Sequence, residues 1–172
     1  CVAILHETLN DVNEILSFRN VQEENPETVP LEQLLKTVTA SIGEWVQKTE
    51  TSITHEFHVK EIKFPKRILH SVFQNLITNS IKYCKPGAIA EIHITANESP
   101  DHYRIVFTDN GTGIDLEKYG DKIFQLFQRF HSGVDGRGMG LYIVKSQLES
   151  CNGTIHVSSE KNKGTIFTIT LP

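Results

Sequence analysis

Two asparagines and a lysine form a polar stripe in a stretch that is otherwise rich in apolar residues. Asn75, Asn79 and Lys82 are four and three residues apart, so on a helix they align along one flank. Asparagine is unfavourable inside a helix because its side chain competes with the backbone for hydrogen bonds. Carboxamide oxygens suit Mg²⁺, and a lysine ammonium suits a phosphate. The stripe indicates a metal–phosphate site, although a solvated helix flank is the alternative.

A carboxylate beside two glycines forms a second candidate site. The run Asp109-Asn-Gly111-Thr-Gly113 follows a predicted strand, and its glycines let the backbone approach a ligand closely. An ionised aspartate only accepts hydrogen bonds. Asp109 would therefore accept from the exocyclic amine of adenine and repel the carbonyl oxygen that guanine carries at that position. Alone the run is a weak signal, because turns often use these residues.

A second glycine run, Gly136-Arg-Gly138-Met-Gly140-Leu141, leads into a predicted helix. Unpaired amides at the start of a helix suit phosphate oxygens. The run is neither the dinucleotide-binding GxGxxG nor a P-loop, because its third glycine is misplaced and Gly-Lys-Ser/Thr does not occur in the chain.

Bulk properties restrict the class of protein. With 172 residues, 38% hydrophobic and 22% charged, the chain is typical of a globular protein with one core of good size. The formal net charge of −4 argues against a nucleic acid or an anionic membrane as partner. The three cysteines are far apart, and the sequence has neither a bilayer-spanning apolar run nor a leader pattern, so a cytoplasmic location is expected.

The chain divides at a polar segment that contains two prolines. Residues 20–30 indicate a linker, and residues 31–172 are expected to form one domain. Residues 1–19 form the pattern of a helix that packs against other helices, with apolar residues at Val2, Leu5, Leu9, Val12 and Leu16. So short a helix needs a partner, either in a helical-bundle dimer or, as the alternative, on its own domain.

The domain alternates helices and strands in an order that predicts a two-layer α/β sandwich, in which three helices cover one face of a mixed sheet. Helices are predicted at residues 31–47, 65–84 and 140–150. Strands are predicted within residues 51–64 and at 90–96, 103–108, 154–159 and 165–171. Residues 109–137 are predicted to form a long mobile loop. This order places the polar stripe on the second helix, Asp109 at a strand end, and the second glycine run before the third helix.

These motifs resemble those of sensor histidine kinases in their order and spacing. The N, G1, F and G2 boxes of that family are matched by Asn75 to Tyr83, Asp109 to Gly113, the aromatics Phe124, Phe127 and Phe130, and Gly136 to Leu141. With the similar final hairpin, the likeness covers about residues 27–172. It implies the Bergerat fold of an ATP-binding catalytic domain, and residues 1–19 are then similar to the end of the dimerisation helix.

The resemblance also implies roles for individual residues. Asn79, with Asn75, would hold Mg²⁺, and Asn75 and Lys82 would take part in catalysis. Residues 115–135 would form a lid over the nucleotide. The residues implied to bind the nucleotide are Asn79, Lys82, Tyr83, Asp109, Gly111, Gly113, Phe124, Arg129, Gly136, Gly138, Gly140, Leu141 and Thr165. An exposed arginine and a threonine that merely favours a strand are the alternatives for Arg129 and Thr165.

The spacing of the three lid phenylalanines adds an expectation about local structure. Phe124, Phe127 and Phe130 are three residues apart, which predicts one apolar face on a short helix. Such a face could anchor the lid, and the resemblance implies that it also meets the dimerisation helices.

Asn75 also bears on the reaction. Related ATPases and serine kinases of this fold generally carry glutamate at this position as general base, a task that asparagine cannot perform. The resemblance implies transfer of the γ-phosphoryl group of ATP to a histidine of the kinase's own dimerisation domain, and then to a response regulator receiver domain. The full-length protein would be a homodimer, and this part of it would lie in the cytoplasm whether or not the protein is anchored in a membrane. The alternatives are a nucleotide-binding regulatory module without phosphoryl transfer, or a related ATPase or serine kinase.

His6-Glu7 is similar to the histidine–acid pair of a phosphoacceptor, yet we expect that His6 is not the acceptor. In the family that pair opens the first dimerisation helix, whereas here the linker begins about fourteen residues later. The acceptor histidine is expected to lie upstream of the chain.

Overall fold

The computed structural model describes residues 25–127 and 138–172. The helix expected at residues 1–19, with His6, lies outside the described residues. So do the predicted nucleotide contacts Arg129 and Gly136, and Phe130 of the lid. Among the described residues, no helix is both long and apolar enough to span a bilayer.

Five α-helices and seven strands make up the described chain. The helices are α1 (Leu31–Ser41), α2 (Gly43–Lys48), α3 (Lys66–Lys82), α4 (Leu116–Tyr119) and α5 (Gly140–Ser150), with a 3₁₀ helix at Gly120–Phe124. The strands are β1 (Glu27–Pro30), β2 (Ser52–Phe57), β3 (Glu61–Phe64), β4 (Glu91–Ser99), β5 (His102–Asp109), β6 (Thr154–Glu160) and β7 (Gly164–Leu171).

The segment predicted as a linker ends in a strand. Strand β1 pairs antiparallel with β3, so that Val29 lies opposite Ile62, and both side chains are buried. Burial of these two apolar residues explains why a short, proline-containing segment is held in place. Glu27–Pro30 are therefore tied to the domain by pairing, while the division of the whole chain into domains stays a prediction.

The predicted single helix at residues 31–47 is wrong, because two helices occupy this stretch. Ile42 has φ −114° and ψ 18°, which is outside the helical range, and α2 begins at Gly43. Glycine and a β-branched residue side by side favour such a break. Buried side chains on α1 form one stripe of Leu31, Leu34, Leu35 and Val38, as its spacing predicted.

Helix α3 is the central helix of the domain. It begins after Pro65, whose fixed φ suits a helix start, and ends at Lys82. Its core face includes Leu69, Val72, Phe73 and Leu76, which are all buried. The polar stripe lies on the flank of the same helix, where Asn75 and Asn79 are only partly exposed.

Five strands form one mixed sheet in the order β2-β4-β5-β7-β6. The pair β2–β4 is parallel and the other three pairs are antiparallel. Apolar residues on alternate positions of β4 and β5 are buried, for example Ile92, Ile94, Ile105 and Phe107. Their neighbours in sequence are partly or fully exposed, so the helices cover one face of the sheet, as the sequence predicted.

The covered face of the sheet forms the core with α1, α3 and α5. The ring of Phe73 on α3 meets that of Phe107 on β5 edge to face, with centroids 4.9 Å apart and planes at 82°. Helices α1 and α5 each pack against α3. The site residues of α3 and β5 are thus anchored on either side of one rigid core.

The predicted long mobile loop at residues 109–137 is partly wrong. Residues 116–124 form α4 and the 3₁₀ helix, and Asp115 caps α4 by accepting a hydrogen bond from the amide of Lys118 at 3.0 Å. Ile123 and Phe124 are buried in the core. Phe127 is 67% exposed with φ 61°, so Phe124 and Phe127 do not share an apolar face on one helix.

Candidate nucleotide-binding site

The carboxylate of Asp109 is held at the end of β5 by three donors. Its Oδ1 accepts from the amides of Gly111 at 2.9 Å and Thr165 at 3.1 Å. Its Oδ2 accepts from the hydroxyl of Ser80 at 3.2 Å. A carboxylate has about four acceptor positions, so one position remains for a ligand. The side chain is therefore fixed in direction before any ligand arrives.

The protonation of Asp109 is set by competing influences. Burial raises the pKa of the carboxyl above its ordinary value of 3.8, and this effect is the largest. The hydrogen bonds from Gly111, Thr165 and Ser80, and the charge of Lys85, lower the pKa and oppose the effect of burial. A carboxylate in this setting accepts hydrogen bonds strongly because little water competes for it.

Glycines around Asp109 are required by close backbone contacts. A Cβ on Gly111 would lie 2.7 Å from the carbonyl oxygen of Tyr83 and 2.9 Å from Oδ1 of Asp109. Gly113 has φ +66° and Gly164 has φ +110°, and a Cβ on either would overlap a backbone carbonyl, that of Glu160 or of Asp109 itself. Side chains at these positions would push the carboxylate and its loop apart.

The loop after β5 is tied to the end of α3. The carbonyl oxygen of Tyr83 accepts from both the amide and the hydroxyl of Thr112, at 2.9 and 3.1 Å. Ser80, one turn earlier, bonds Asp109 as described above. The predicted nucleotide contacts Tyr83, Asp109 and Gly111 are thereby brought together, although sequence reasoning did not single out Ser80 or Thr112.

Thr165 lies directly beside Asp109, on the neighbouring strand β7. It is buried, and its hydroxyl lies 3.1 Å from that of Ser159. The amide of Ile114 donates to the same Ser159 hydroxyl at 2.8 Å. Thr165 therefore supports Asp109 through its backbone, and a hydroxyl contact with a nucleotide stays a prediction.

Two members of the polar stripe, Asn75 and Asn79, face the start of α5. A Cβ on Gly140 would lie 2.8 Å from Oδ1 of Asn75 and 3.9 Å from Nδ2 of Asn79, so the absence of a side chain there leaves room beside both carboxamides. Nδ2 of Asn75 donates to the carbonyl oxygen of Ser71 at 3.0 Å, which directs Oδ1 away from its own helix. Within the described residues, Oδ1 of Asn75 and the side chain of Asn79 make no hydrogen bond.

The two carboxamides fit a magnesium ion by their chemistry. They are neutral oxygen ligands beside a backbone that a phosphate could approach, which is the donor set Mg²⁺ accepts when phosphates supply its other ligands. In the part of the chain that the structure describes, no three histidine, cysteine, aspartate or glutamate side chains are grouped to hold a metal.

Lys82 lies over an aromatic ring. Its Nζ is 5.7 Å from the centroid of Trp45 on α2, within the range of a cation–π contact. Trp45 lies in the segment that was predicted as one helix at residues 31–47, and its contact with Lys82 was not predicted. The third member of the polar stripe is therefore not grouped with Asn75 and Asn79 through its ammonium group.

The remaining predicted nucleotide contacts lie on α5, just before it, and in the lid. Gly138 has φ +70°, a conformation that favours glycine, and Leu141 packs against the core. Phe124 is buried, with Nζ of Lys145 lying 5.4 Å from its ring centroid. Direct contact of Phe124 or Leu141 with a nucleotide stays a prediction.

A polar cavity of about 420 Å³ adjoins Asn75. It runs along α3 and is lined by Arg67, His70, Ser71, Gln74, Asn75 and Thr78. Asn75 thus stands between this cavity and the start of α5.

Comparison with protein families now identifies the domain. The family described as histidine kinase-, DNA gyrase B- and HSP90-like ATPase matches residues 65–172, which include α3, Asp109 and α5. The chain belongs to this ATPase family. Its curated relatives include the heme sensor protein HssS of Staphylococcus saprophyticus, which is 34% identical over 83% of this chain and 30% of its own length.

Solved structures of histidine kinases share the fold of this ATPase-family domain. The histidine kinase AdeS of Acinetobacter baumannii superposes on 99% of this chain and 79% of its own with a TM-score of 0.78, at 21% identity. Full-length ShkA, solved with AMPPNP, covers 96% of this chain and 36% of its own with a TM-score of 0.79, at 23% identity. The chain spans between 21% and 48% of the length of the first curated relatives it matches.

Proposed function

We propose that this domain binds Mg·ATP in the cleft between α3 and α5, with Asp109 recognising adenine. The observation that carries the proposal is the carboxylate of Asp109, which three donors hold in place with one acceptor position free. That position suits the exocyclic amine of adenine. Guanine would present a carbonyl oxygen instead, and two acceptors facing each other repel.

The phosphate end of the site is supported by the carboxamide oxygens of Asn75 and Asn79 and by the start of α5. Asn75 and Asn79 would hold Mg²⁺, which supplies charge neutralisation for the phosphates when it is bound. The first amides of α5 have no partner within their own helix and point outward from its N-terminus. Lys82 would add a positive charge for a phosphate.

Phosphoryl transfer to a histidine is the reaction we infer for the parent protein. Asn75 cannot act as a general base, so the chain offers positioning and charge neutralisation rather than activation of water. AdeS is named a histidine kinase and HssS a sensor protein, and both names favour a two-component kinase over an ATPase or a serine kinase.

The inferred partners follow from that reaction. The acceptor histidine would lie on the kinase's own dimerisation domain in a homodimer, and a response regulator receiver domain would take the phosphoryl group next. The polar cavity beside Asn75 offers an approach to the phosphate end of the cleft from outside. We infer a cytoplasmic location, because ATP is supplied there.

The proposal is tested first by calorimetry and then by labelling. Calorimetry with this chain should show Mg·ATP binding, and no binding at millimolar ATP would overturn the proposal. A complete kinase that contains this domain should acquire label from γ-labelled ATP that survives alkali, as phosphohistidine does. Asn79→Ala in the same kinase should lose the label. ATP binding without any label would favour a nucleotide-binding regulatory module.

A further inference from the structure

Lys82 has one observed contact and one proposed ligand, and the two lie on opposite sides of α3. Its ammonium lies 5.7 Å from the centroid of Trp45, which belongs to α2. Helix α2 leads into β2 at one edge of the sheet, whereas α5 leads into β6 at the other edge, and α3 lies between them. The proposed phosphate site at the start of α5 is therefore on the far side of α3 from Trp45.

Trp45 is held both by its side chain and by its backbone. It packs against the hydrophobic core, and its backbone carbonyl accepts from both the amide and the hydroxyl of Thr49, at 3.0 and 2.9 Å. Lys82, in contrast, has a flexible four-carbon stem at the last turn of α3. When the two separate, the lysine is the group that moves.

We infer that Trp45 is a positioning residue that holds Lys82 away from the phosphate site and competes with phosphate for it. This inference rests on the proposed function, in which Lys82 meets a phosphate. The ammonium must leave the indole face before it can reach the α5 side of α3. Each ATP that binds then displaces the cation–π contact, so the contact weakens ATP binding.

The strength of the contact sets the size of the effect. A cation–π contact at a partly exposed site corresponds to about a two- to fivefold change in a binding constant. Trp45→Leu, which keeps an apolar side chain against the core, should therefore bind Mg·ATP about two- to fivefold more tightly. Trp45→Phe keeps an aromatic face and should fall between the wild type and Trp45→Leu.

The decisive control removes the cation. In a Lys82→Met background, Trp45→Leu should leave the affinity for Mg·ATP unchanged, because the ring then has nothing to hold. A gain in affinity that persists without Lys82, or a loss of affinity in Trp45→Leu, would overturn the inference. Circular dichroism checks that each variant is folded.

Emission from the tryptophan gives an independent readout. The chain contains 1 tryptophan, so its fluorescence reports the surroundings of Trp45 alone. Saturating Mg·ATP should change the emission of the wild type. In Lys82→Met, the emission without nucleotide should already equal that of the ATP-bound wild type, and Mg·ATP should not change it further.

The outcomes separate this inference from the proposed function. ATP binding in the calorimeter with no change in emission would mean that Lys82 stays on the ring, and would overturn the inference alone. Absence of calorimetric binding would overturn the proposed function and, with it, this inference.

Discussion

The adenine end and the phosphate end of the cleft differ in how far their side chains are fixed before a nucleotide binds. At the adenine end, Asp109 is bonded by Gly111, Thr165 and Ser80, and the loop is tied to Tyr83. At the phosphate end, the carboxamide of Asn79 makes no hydrogen bond within the described residues, and Lys82 rests on a ring of another helix. The rigid end suits discrimination between bases, and the adaptable end suits a group that is transferred.

The difference has a physical cause in what each end must bind. A base is flat and is recognised by hydrogen bonds of fixed direction, so a preformed acceptor loses no entropy when it binds. Polyphosphate with a metal carries charge, and charge attracts side chains over longer distances with less dependence on direction. Substitutions at the adenine end should therefore have the larger effects.

The largest effect is expected from Gly164→Ala. A Cβ there would overlap the carbonyl of Asp109 at φ +110°, so the free energy of unfolding should fall by about 3 kcal/mol. Gly87→Ala is the matched control, because Gly87 has φ +76° with nothing within 4 Å of its added Cβ. Gly87→Ala should lower the free energy of unfolding, measured in urea, by about 1 kcal/mol. Equal losses for the two variants would contradict a tightly built adenine end.

Asp109→Asn should weaken ATP binding by about a hundredfold with little loss of stability. The asparagine oxygen can still accept from Gly111 and Thr165, and its Nδ2 can donate to the Ser80 hydroxyl, which already lies 3.1 Å from the carbonyl of Leu76. The remaining N–H would face the amine of adenine, donor against donor. Calorimetry measures the affinity and thermal unfolding the stability. Unchanged affinity would remove Asp109 from the site.

Asn79→Ala should weaken ATP binding about tenfold in Mg²⁺, the loss expected for one ligand of a phosphate-bound metal. In EDTA the same variant should bind ATP nearly as the wild type does. Titrations in both buffers test this. An identical loss in the two buffers would indicate damage to α3 rather than a lost metal ligand.

The smallest effect concerns pH. Because burial raises the pKa of Asp109 above 3.8, ATP binding should weaken in acid at a higher pH than for an ordinary aspartate. The folded state binds the proton of Asp109 more strongly than the unfolded chain does. As pH rises from 3.8 through the folded pKa, Asp109 therefore lowers the free energy of unfolding. Ser80→Ala, which removes a hydrogen bond to the carboxylate, should move the acid limb of binding to still higher pH. If ATP binding weakened at the same acid pH in the wild type and in Ser80→Ala, this role of Ser80 would be contradicted.

Much of the fold could be predicted from local sequence. The last helix ends at Ser150 as predicted, and Asn152-Gly153 closes it, since Asn152 has φ 58° and the amide of Gly153 donates to the carbonyl oxygen of Leu148 at 2.8 Å. Alternating residue character in β4, β5, β6 and β7 is a local signal, so these strands could be predicted without knowledge of tertiary contacts. Gly111 and Gly113, where an added Cβ would meet backbone atoms, already belonged to the Asp109–Gly113 run that the sequence showed.

The features that escaped prediction depend on contacts between distant residues. Ser80 and Asp109 are 29 positions apart, and nothing local marks the serine as a partner of the carboxylate. Trp45 carried the ordinary spacing of a core helix, and only folding brings it over Lys82. Phe124 was predicted on a short helix within a mobile loop, and its burial in a 3₁₀ helix depends on contacts with the core that local sequence does not show.

The most direct measurement is the ratio of the dissociation constants for GTP and ATP, each with Mg²⁺, in the wild type and in Asp109→Asn. A preformed acceptor at the adenine end predicts that the wild type prefers ATP by about a hundredfold. In Asp109→Asn, the new N–H can donate to the guanine carbonyl, so the ratio should fall toward one. Equal affinity of the wild type for ATP and GTP would contradict the assignment of Asp109 and of the adenine end.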